Sequence, residues 1–281
     1  MNAPSPVDLH LHSSASDGVL EPDPLVAHVK ACGVGLMALT DHDTVAGVEA
    51  AAGAARAAGV GFVAGVEISA RWRGRTVHVL GLAIDPGAAR LAAGLASQQA
   101  LRARRAERIA ARLEAAGAPG NEILASIRAA GSLPTRTHFA RALVTAGAVP
   151  DVGAAFERWL GRGRPGHVPG EWPELAEATS WILAAGGKAA IAHPLRYALS
   201  AGARREMCAD FRAAGGHGIE VVTGGSGPAQ REQAISLAVR CGLEGSAGSD
   251  FHDPAVPWNP PGRLAKLPES IRPIWSDFLP A

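Results

Sequence analysis

Strand-like and helix-like patterns alternate along most of the chain. Residues 7–12 alternate apolar and polar side chains, which is the period of a β-strand. Similar short stretches predict seven strands, at residues 7–12, 34–39, 60–68, 76–84, 188–193, 218–222 and 243–249. Helical patterns lie between most of them, at residues 22–32, 46–58, 172–185, 201–214 and 228–241. Repeated strand–helix units favour an α/β fold with a parallel sheet, either closed or open.

The pattern changes in the middle of the chain. Residues 87–114 form one long helical stretch rich in Ala, Arg and Leu, and three shorter helical stretches follow. They lie at residues 121–130, 137–146 and 152–160, and no clear strand interrupts them. We therefore predict one α/β domain built from residues 1–85 and 171–281, with an all-helical insertion at residues 86–170.

Composition excludes several classes of protein. A hydrophobic content of 47% supports a sizeable core, and a formal net charge of +1 gives no field typical of a DNA duplex or membrane binder. The three cysteines form no CxxC pair, so we expect free thiols and no thiolate zinc site. No apolar run is long enough to span a bilayer, and residues 1–6 do not resemble a signal peptide. We expect a cytoplasmic protein.

Histidine and carboxylate side chains fall at or beside the predicted strand ends. His10 and His12 are two residues apart on one strand, so both side chains point to the same face. The other candidates are Asp17, His42, Glu67, His78, His193, Asp250 and His252. Imidazole and carboxylate ligands together suit Mn, Fe or Zn. Nine candidates are too many for one ion, so they indicate a cluster of two or three metals.

Several segments resemble the motifs of the PHP (polymerase and histidinol phosphatase) superfamily. They are DLHLHS at residues 8–13, SDG at 16–18, TDHD at 40–43, GVEIS at 65–69, HVLG at 78–81, AHP at 192–194 and GSDFH at 248–252. The resemblance covers residues 7–253. It implies a distorted (β/α)7 barrel that carries the helical insertion.

The resemblance also implies a site for three divalent metal ions. Manganese is the expected metal, with iron, zinc or magnesium as alternatives. Three ligand sets follow from the motifs, in which Glu67 bridges two ions: His10, His12, Glu67 and Asp250; Glu67, His78 and His193; Asp17, His42 and His252.

Within the superfamily, a short chain with a helical insertion resembles the nucleoside 3',5'-bisphosphate phosphatases. These are similar to enzymes that also trim short 5'-phosphorylated RNA from the 5' end. The implied reaction yields a nucleoside 5'-monophosphate and phosphate by in-line attack of a metal-bridging hydroxide. Candidate catalytic residues are Asp17, His42, Asp250 and His252, and the identity of the general acid stays open. We expect a monomer acting on a small nucleotide or short RNA.

Two arginine-rich segments are candidates for binding the substrate's phosphates. PTRTHFAR at residues 134–141 resembles a phosphate-gripping segment, and GRGRP at 161–165 resembles the loop leading back to the barrel. A guanidinium offers a planar fork to phosphate oxygens, although a single arginine is more often a solvated surface residue. The candidates are Arg136, His138, Arg141, Arg162 and Arg164, with Arg196 at the mouth of the site.

Three alternatives remain open from the sequence. A histidinol-phosphate phosphatase would use the same metal chemistry, but its cationic substrate favours an acidic pocket and the insertion is basic. A nuclease acting mainly on long strands is disfavoured by scarce aromatics and near-neutral charge. A non-catalytic structural module is disfavoured by the complete set of candidate ligands.

Overall fold

In the part of the chain that the structure describes, seven strands follow one another around a single sheet in the same order as along the chain. They are β1 (Val7–Leu11), β2 (Leu36–Leu39), β3 (Gly61–Trp72), β4 (Arg75–Leu82), β5 (Lys188–Ile191), β6 (Gly218–Thr223) and β7 (Glu244–Gly248). The chain just after β7 returns to β1, because Phe251 bridges to Leu11 and the Asp250 amide donates to the His10 carbonyl at 2.9 Å. The predicted α/β barrel is therefore confirmed as a nearly closed, seven-stranded barrel.

The computed structural model describes residues 6–256 and 259–278. Most of the N-terminal segment on which the signal-peptide expectation rests, residues 1–5, lies outside the described residues. Among the described residues, no helix is long and apolar enough to cross a membrane.

One strand runs against the others, so the sheet departs from the predicted parallel arrangement at this point. β4 is antiparallel to both β3 and β5, while the remaining neighbours are parallel. Trp72 pairs with Arg75, so only Arg73 and Gly74 connect β3 to β4, both with positive φ. A two-residue connection joins only antiparallel strands. The hairpin also extends β3 four residues beyond its predicted end at residue 68.

Helices connect most of the strands. They are α1 (Pro22–Ala31), α2 (Val48–Ala58), α3 (Ala89–Ala115), α4 (Gly120–Ala129), α5 (Arg136–Thr145), α6 (Val152–Ala155), α7 (Leu175–Ala184), α8 (Ala201–Ala213) and α9 (Pro228–Cys241). The predicted helix at residues 172–185 begins only at Leu175. Its first residues extend along the edge of β3 instead, where the Arg71 amide donates to the Pro173 carbonyl at 2.7 Å.

The Cα positions divide the chain into two compact units. Unit 1 comprises Met1–Leu95 and Pro173–Ala281, and unit 2 comprises Ala96–Trp172. The first boundary falls inside α3, because Leu91 and Leu95 belong to a core cluster of unit 1 that also includes Trp181. These limits differ from the predicted insertion at residues 86–170, whose status as a separate domain stays a prediction.

Unit 1 is held together by several apolar clusters. One cluster joins five neighbouring strands, β1 to β5, through Leu9, Leu36, Ala38, Val63, Leu80, Leu82, Ala190 and Ala192. Another packs β1 and β2 against α1 and α2, with Leu11, Met37 and Leu39 facing Leu25 and Ala51. Burying apolar surface on both sides of the short strands keeps their ends in fixed positions, which a metal centre requires.

Unit 2 contains only helices and loops, and the structure describes all of its residues. Its core is formed by apolar side chains from α3 to α6 and from the following turn, with Leu113, Phe139 and Leu143 fully buried. The predicted helix at residues 152–160 is divided, because α6 ends at Ala155 and a π-helical turn, Phe156–Leu160, follows it.

Candidate metal centre

The nine predicted ligands all lie in unit 1, on or just after six of its strands. His12, His42, His193, Asp250 and His252 follow the ends of β1, β2, β5 and β7. Glu67 lies inside β3 at the level where β2 stops, since His42 bridges to it. The long β3–β4 hairpin therefore reaches past its neighbours, and it brings a carboxylate and an imidazole to the ends of the other strands.

One oxygen of Glu67 faces three imidazoles. Glu67 is fully buried, and its Oε2 lies 3.3 Å from Nε2 of His10 and 3.3 Å from Nε2 of His12. The same oxygen lies 2.9 Å from Nδ1 of His42. His10 and His12, predicted to point to one face, thus converge on a single carboxylate oxygen.

The other oxygen of Glu67 faces a different pair of imidazoles. Its Oε1 lies 2.9 Å from Nδ1 of His78 and 3.1 Å from Nε2 of His193. Tyr197 holds the backbone around both histidines, because its hydroxyl accepts from the His78 amide at 2.8 Å and donates to the Ala192 carbonyl at 2.9 Å. A carboxylate with each oxygen turned to a separate group of nitrogens has the geometry of a bridging ligand.

Two aspartates complete the arrangement. Asp250 Oδ1 lies 3.3 Å from Nε2 of both His10 and His12. Asp17 Oδ1 lies 3.2 Å from Nε2 of His252. The His252 Nδ1 lies 3.0 Å from the Asp250 carbonyl, an acceptor, so neutral His252 carries its proton on Nδ1 and turns a lone pair toward Asp17.

Among the residues that the structure describes, three groups of candidate ligand atoms lie close enough to share an ion, with all atoms of a group within 4.8 Å of one another. The first, with His10, His12, Glu67 and Asp250, has the membership of one predicted set. The others differ from the predicted sets in membership: His12 joins Asp17, His42 and His252, and His42 joins Glu67 and His78. His193 contacts Glu67 Oε1 but belongs to none of these three groups.

The buried ligand atoms fit a metal better than they fit one another. Within the described residues, His10 Nε2, His12 Nε2, His42 Nδ1 and Glu67 Oε2 have no hydrogen-bond partner. Burial of an unsatisfied polar group costs roughly 1–3 kcal/mol. Four such atoms turned toward one point form a site that a divalent cation would complete, and nitrogen and oxygen donors without thiolate suit Mn, Fe or Zn.

Charge alternates within the centre. Burial alone would raise the pKa of Glu67, but the nearby His42, His10 and His78 hold it well below its ordinary value. Asp17 and Asp250 have pKa values shifted in the same direction, against the effect of burial, by their histidine neighbours. All three carboxylates therefore remain ionised and available as ligands.

The imidazoles respond to the same surroundings in opposite directions. Burial disfavours the charged form of His12, but Asp250 and Glu67 outweigh burial and raise its pKa to about 10. Burial dominates at His42 and lowers its pKa to about 4. A ligand must give up the proton on its coordinating nitrogen, so a metal binding to His12 would displace a proton, whereas His42 would bind one in its neutral form.

Glu220, on β6, orients two of the histidines. Its Oε1 accepts from His10 Nδ1 at 2.9 Å, and its Oε2 accepts from the His193 amide at 2.6 Å. In neutral His10, this hydrogen bond places the proton on Nδ1 and turns the lone pair of Nε2 toward Glu67. Gly248 on β7 makes room for the pair, since a Cβ there would lie 2.2 Å from the His10 Cβ and 2.6 Å from Glu220 Oε1. Glu220 lies outside the sequence motifs, so its contacts with His10 and His193 become visible only in the folded chain.

Asp41 organises the loop that carries Asp17. Its Oδ1 accepts from the Ser13 amide at 2.8 Å and from the Ser16 hydroxyl at 2.6 Å. Its Oδ2 accepts from the Ser13 hydroxyl at 2.6 Å. The residue is buried, and burial raises the pKa of its carboxyl group. The acidic residue preceding His42 in the second motif thus acts on the geometry of the first.

Strained backbone occurs at two of the predicted ligands. His193 has a φ of 29° and Asp250 a φ of 56°, both in the region that side chains other than glycine rarely adopt. Such conformations persist only where surrounding contacts enforce them, and they concentrate at functional sites. Here they turn the chain sharply after β5 and β7, so that both side chains reach Glu67 or His10.

Arg196, which the sequence analysis names as a candidate at the mouth of the site, lies beside the predicted ligand Asp250. It ends a short 3-10 helix, Pro194–Arg196, and its guanidinium donates to Asp250 Oδ2 and, at 3.2 Å, to the Gly224 carbonyl. Burial by itself would lower the pKa of Arg196, but the neighbouring Asp250 carboxylate outweighs burial and raises it. A cavity of about 130 Å³ adjoins this arginine and is also lined by His193 and Glu220.

The other predicted substrate-binding residues lie in unit 2. Arg136 is the first residue of α5, and its guanidinium lies 5.6 Å from the centre of the Phe156 ring. His138 caps the same helix, because its Nδ1 accepts from the Thr135 amide at 3.2 Å. Arg141 also lies on α5, and the segment 161–165 carries two exposed arginines, Arg162 and Arg164.

Comparison with known proteins identifies a matching family and several relatives. The family model of the PHP domain matches residues 8–188. A Haemophilus influenzae protein named 5'-3' exoribonuclease is 44% identical over 271 residues, covering 96% of this chain and 98% of the relative. A Chromobacterium violaceum protein named 3',5'-nucleoside bisphosphate phosphatase is 43% identical over 274 residues, covering 97% and 96%.

A solved structure is similar over the same length. It is an amidohydrolase from Chromobacterium violaceum with bound sulfate and no metal. Its TM-score to this chain is 0.90 at 43% identity, and the match covers 96% of this chain and 94% of the other.

Proposed function

Because the chain belongs to the PHP domain family, we propose that it is a metal-dependent phosphatase that hydrolyses nucleoside 3',5'-bisphosphates. The products would be a nucleoside 5'-monophosphate and phosphate. The observation that carries the proposal is Glu67, whose two oxygens face separate groups of histidines in the manner of a metal-bridging carboxylate. The name of the Chromobacterium violaceum relative supports the choice of substrate.

The proposed cofactor is a set of three divalent ions, with Mn²⁺ as the first candidate. The residues that would hold them are His10, His12, Asp17, His42, Glu67, His78, His193, Asp250 and His252. When bound, such ions neutralise the phosphate oxygens, activate water and stabilise the departing oxygen.

Residues of the chain itself would position these ligands and the substrate. Glu220 sets the proton on His10, which keeps Nε2 free for a metal. Arg196 holds one oxygen of Asp250, and its remaining donor atoms would bind a phosphate oxygen at the cavity beside it. The buried carboxylates Asp17 and Asp250, with His42 and His252, are the proposed catalytic groups.

A second activity, removal of nucleotides from the 5' end of short RNA, is favoured by the name of the Haemophilus influenzae relative. It also hydrolyses a phosphate ester, and therefore needs no change in the metal centre. We propose that short 5'-phosphorylated oligoribonucleotides are additional substrates of the same site.

A substrate panel tests the proposed function. Purified protein with Mn²⁺ is assayed for product from nucleoside 3',5'-bisphosphate, 5'-mononucleotide, histidinol phosphate and short 5'-phosphorylated RNA. We expect the highest kcat/KM with the bisphosphate, and loss of turnover in His10→Ala and Asp250→Ala. Preference for histidinol phosphate, or full activity of these variants, would contradict the proposal.

A further inference from the structure

The backbone turn that carries Asp250 comes directly after β7. The φ of Asp250 is 56°, in the left-handed region that residues with a side chain rarely adopt. Such a conformation persists only where contacts from outside the turn enforce it. One of these contacts is the hydrogen bond from the Asp250 amide to the His10 carbonyl, at 2.9 Å. It holds the amide side of the residue, and the carbonyl side needs a partner of its own.

Asn259 holds the carbonyl side of this turn. Its Nδ2 donates to the Asp250 carbonyl at 2.9 Å and to the Ser249 carbonyl at 3.3 Å. Both partners are acceptors, so the side-chain amide presents its nitrogen here, and the two hydrogens of that nitrogen match the two carbonyls. A single side chain from the segment that follows the barrel therefore joins the carbonyls of two consecutive residues of the turn.

The Asp250 carbonyl has a second donor, because Nδ1 of His252 lies 3.0 Å from it. A carbonyl oxygen has two lone pairs and can accept from both the Asn259 amide and the imidazole. Asp250 turns its Oδ1 toward His10 Nε2, at 3.3 Å. His252 turns its Nε2 toward Asp17 Oδ1, at 3.2 Å. The position of one carbonyl oxygen thus bears on two of the predicted ligands.

Gly224, just after β6, leaves room for the Asn259 side chain. A Cβ on this glycine would lie 2.0 Å from the Ser249 carbonyl oxygen and 2.7 Å from the Asn259 Cβ. Atoms do not approach so closely, so a side chain here would push Asn259 or the turn after β7 out of place. The Gly224 amide donates to the Gly248 carbonyl at 3.0 Å, which holds the glycine against β7.

The segment that carries Asn259 has anchors of its own. The Gly245 amide donates to the Arg272 carbonyl at 2.9 Å, and Ile271 and Ile274 are buried in core clusters of unit 1. These contacts hold the segment against the barrel without Asn259. The Oδ1 of Asn259 is buried and, within the described part of the chain, has no hydrogen-bond partner, so the side chain acts through its nitrogen.

We propose that Asn259 is a positioning residue of the metal centre, which fixes the strained turn after β7 so that Asp250 and His252 are held ready to bind metal. The inference rests on the proposed metal centre and does not depend on the substrate assigned to it. Asn259 bonds to main-chain carbonyls and supplies no ligand atom. Its removal should therefore weaken metal binding while every ligand remains in the chain.

Binding of Mn²⁺ to the full chain tests the proposal. Asn259→Leu keeps roughly the size of the side chain and removes the amide donor. We expect the dissociation constant for Mn²⁺, measured by isothermal titration calorimetry, to rise about 10-fold, the lower end of the loss typical of residues that orient metal ligands. Asn121→Leu makes the same change at an exposed position of α4 and should bind Mn²⁺ as the wild type does.

A second variant separates positioning from a purely structural role. Ile271→Ala removes a buried side chain from the same segment and leaves the turn after β7 untouched. We expect it to lower the thermal midpoint of the metal-free chain and to keep the wild-type affinity for Mn²⁺. In Asn259→Leu, by contrast, Mn²⁺ should raise the midpoint by less than it raises that of the wild type, because weaker binding stabilises the fold less.

Two results would overturn the proposal. One is a wild-type dissociation constant for Mn²⁺ in Asn259→Leu. The other is an equal loss of affinity in Asn259→Leu and Ile271→Ala, which would show that Asn259 only helps to hold the C-terminal segment in place.

The failure of this proposal is distinguishable from failure of the proposed function, since Mn²⁺ binding is measured without substrate. A chain that hydrolyses none of the substrate panel, but binds Mn²⁺ more weakly in Asn259→Leu than in Ile271→Ala, would keep the positioning role and lose only the assigned reaction. A chain that hydrolyses the bisphosphate and has unchanged Mn²⁺ affinity in Asn259→Leu would lose only the positioning role.

Discussion

The end of the barrel and the arginine-rich part of unit 2 gather charge in opposite ways. At the barrel, three buried carboxylates alternate with six histidines, and each carboxylate is kept ionised by its neighbours. In unit 2, Arg105 is bordered by other positive charges, and its Nε donates to a carbonyl oxygen. The first arrangement suits the binding of cations, and the second suits the binding of an anion.

They also differ in how they are assembled. The barrel ligands come from strand ends spread along most of the chain, and His10 meets a glutamate 210 positions away. Arg105 needs only its own helix and one nearby segment. Damage to single contacts should therefore have larger effects at the barrel than in unit 2, and substitutions in each region measure that difference.

The largest effect is expected at Glu67. Glu67→Gln removes the charge that both groups of histidines share, so metal content and turnover should fall together by at least about 1,000-fold. This loss is larger than that typical of a residue that only hydrogen-bonds to a metal ligand. Metal analysis and phosphate release measure this. Glu174→Gln, an exposed glutamate paired with Arg71, is the control and should behave as wild type. Retention of near-normal metal by Glu67→Gln would remove the bridging role.

The second-largest effect is expected on stability, and it tests whether the two units unfold independently. Phe139→Ala in the core of unit 2 and Phe211→Ala in the core of unit 1 each remove a fully buried ring, at a cost of about 3–5 kcal/mol. We expect hydrogen exchange to accelerate mainly in the unit that carries the substitution, since the two rings belong to different core clusters. Equal acceleration throughout both units, for either variant, would show that they unfold as one.

A smaller effect is expected at the residue that orients His10. Glu220→Gln keeps the shape of the side chain but removes the charge that accepts from His10 Nδ1, so affinity for Mn²⁺ should fall about 10- to 100-fold. The dissociation constant is measured by calorimetry on folded protein. Glu244→Gln, on the next strand and paired with Lys188, makes the same chemical change away from the ligands. The same affinity in both variants would argue against an orienting role.

The smallest effect is expected at the surface of unit 2. Arg128→Gln breaks an exposed pair with Glu107, and exposed pairs contribute no more than about 1 kcal/mol. The free energy of unfolding in urea should change by less than that amount. A larger loss would mean that the charge pattern of unit 2 stabilises its fold.

Much of the fold was predictable from local patterns. The alternation at residues 7–12 and the glycines that end α2 and α9 depend on neighbours in sequence, and these elements lie close to their predicted limits. The direction of β4 was not predictable from hydrophobic alternation, which has the same period in parallel and antiparallel strands. The two-residue turn at Arg73 and Gly74 decides it.

The candidate site was likewise predictable only in part. Histidines and carboxylates near strand ends could be identified from the sequence, because the ends of neighbouring strands in a barrel meet. Their grouping could not, since it depends on which oxygen of Glu67 each imidazole faces. Glu220 and Gly248 lie on neighbouring strands, and only the register of β6 and β7 beside His10 shows that one orients it and the other makes room.

The sequence by itself determined the strand and helix periods, the kinds of ligand and the arginine-rich character of the middle of the chain, because these are properties of residue types and short spacings. Only the tertiary structure decided that β4 turns back, that Glu67 presents its two oxygens to different histidines, and that the Asn259 amide reaches the turn after β7. The physical reason is that a contact between distant residues depends on how the strands and helices pack together, and no local pattern contains that information.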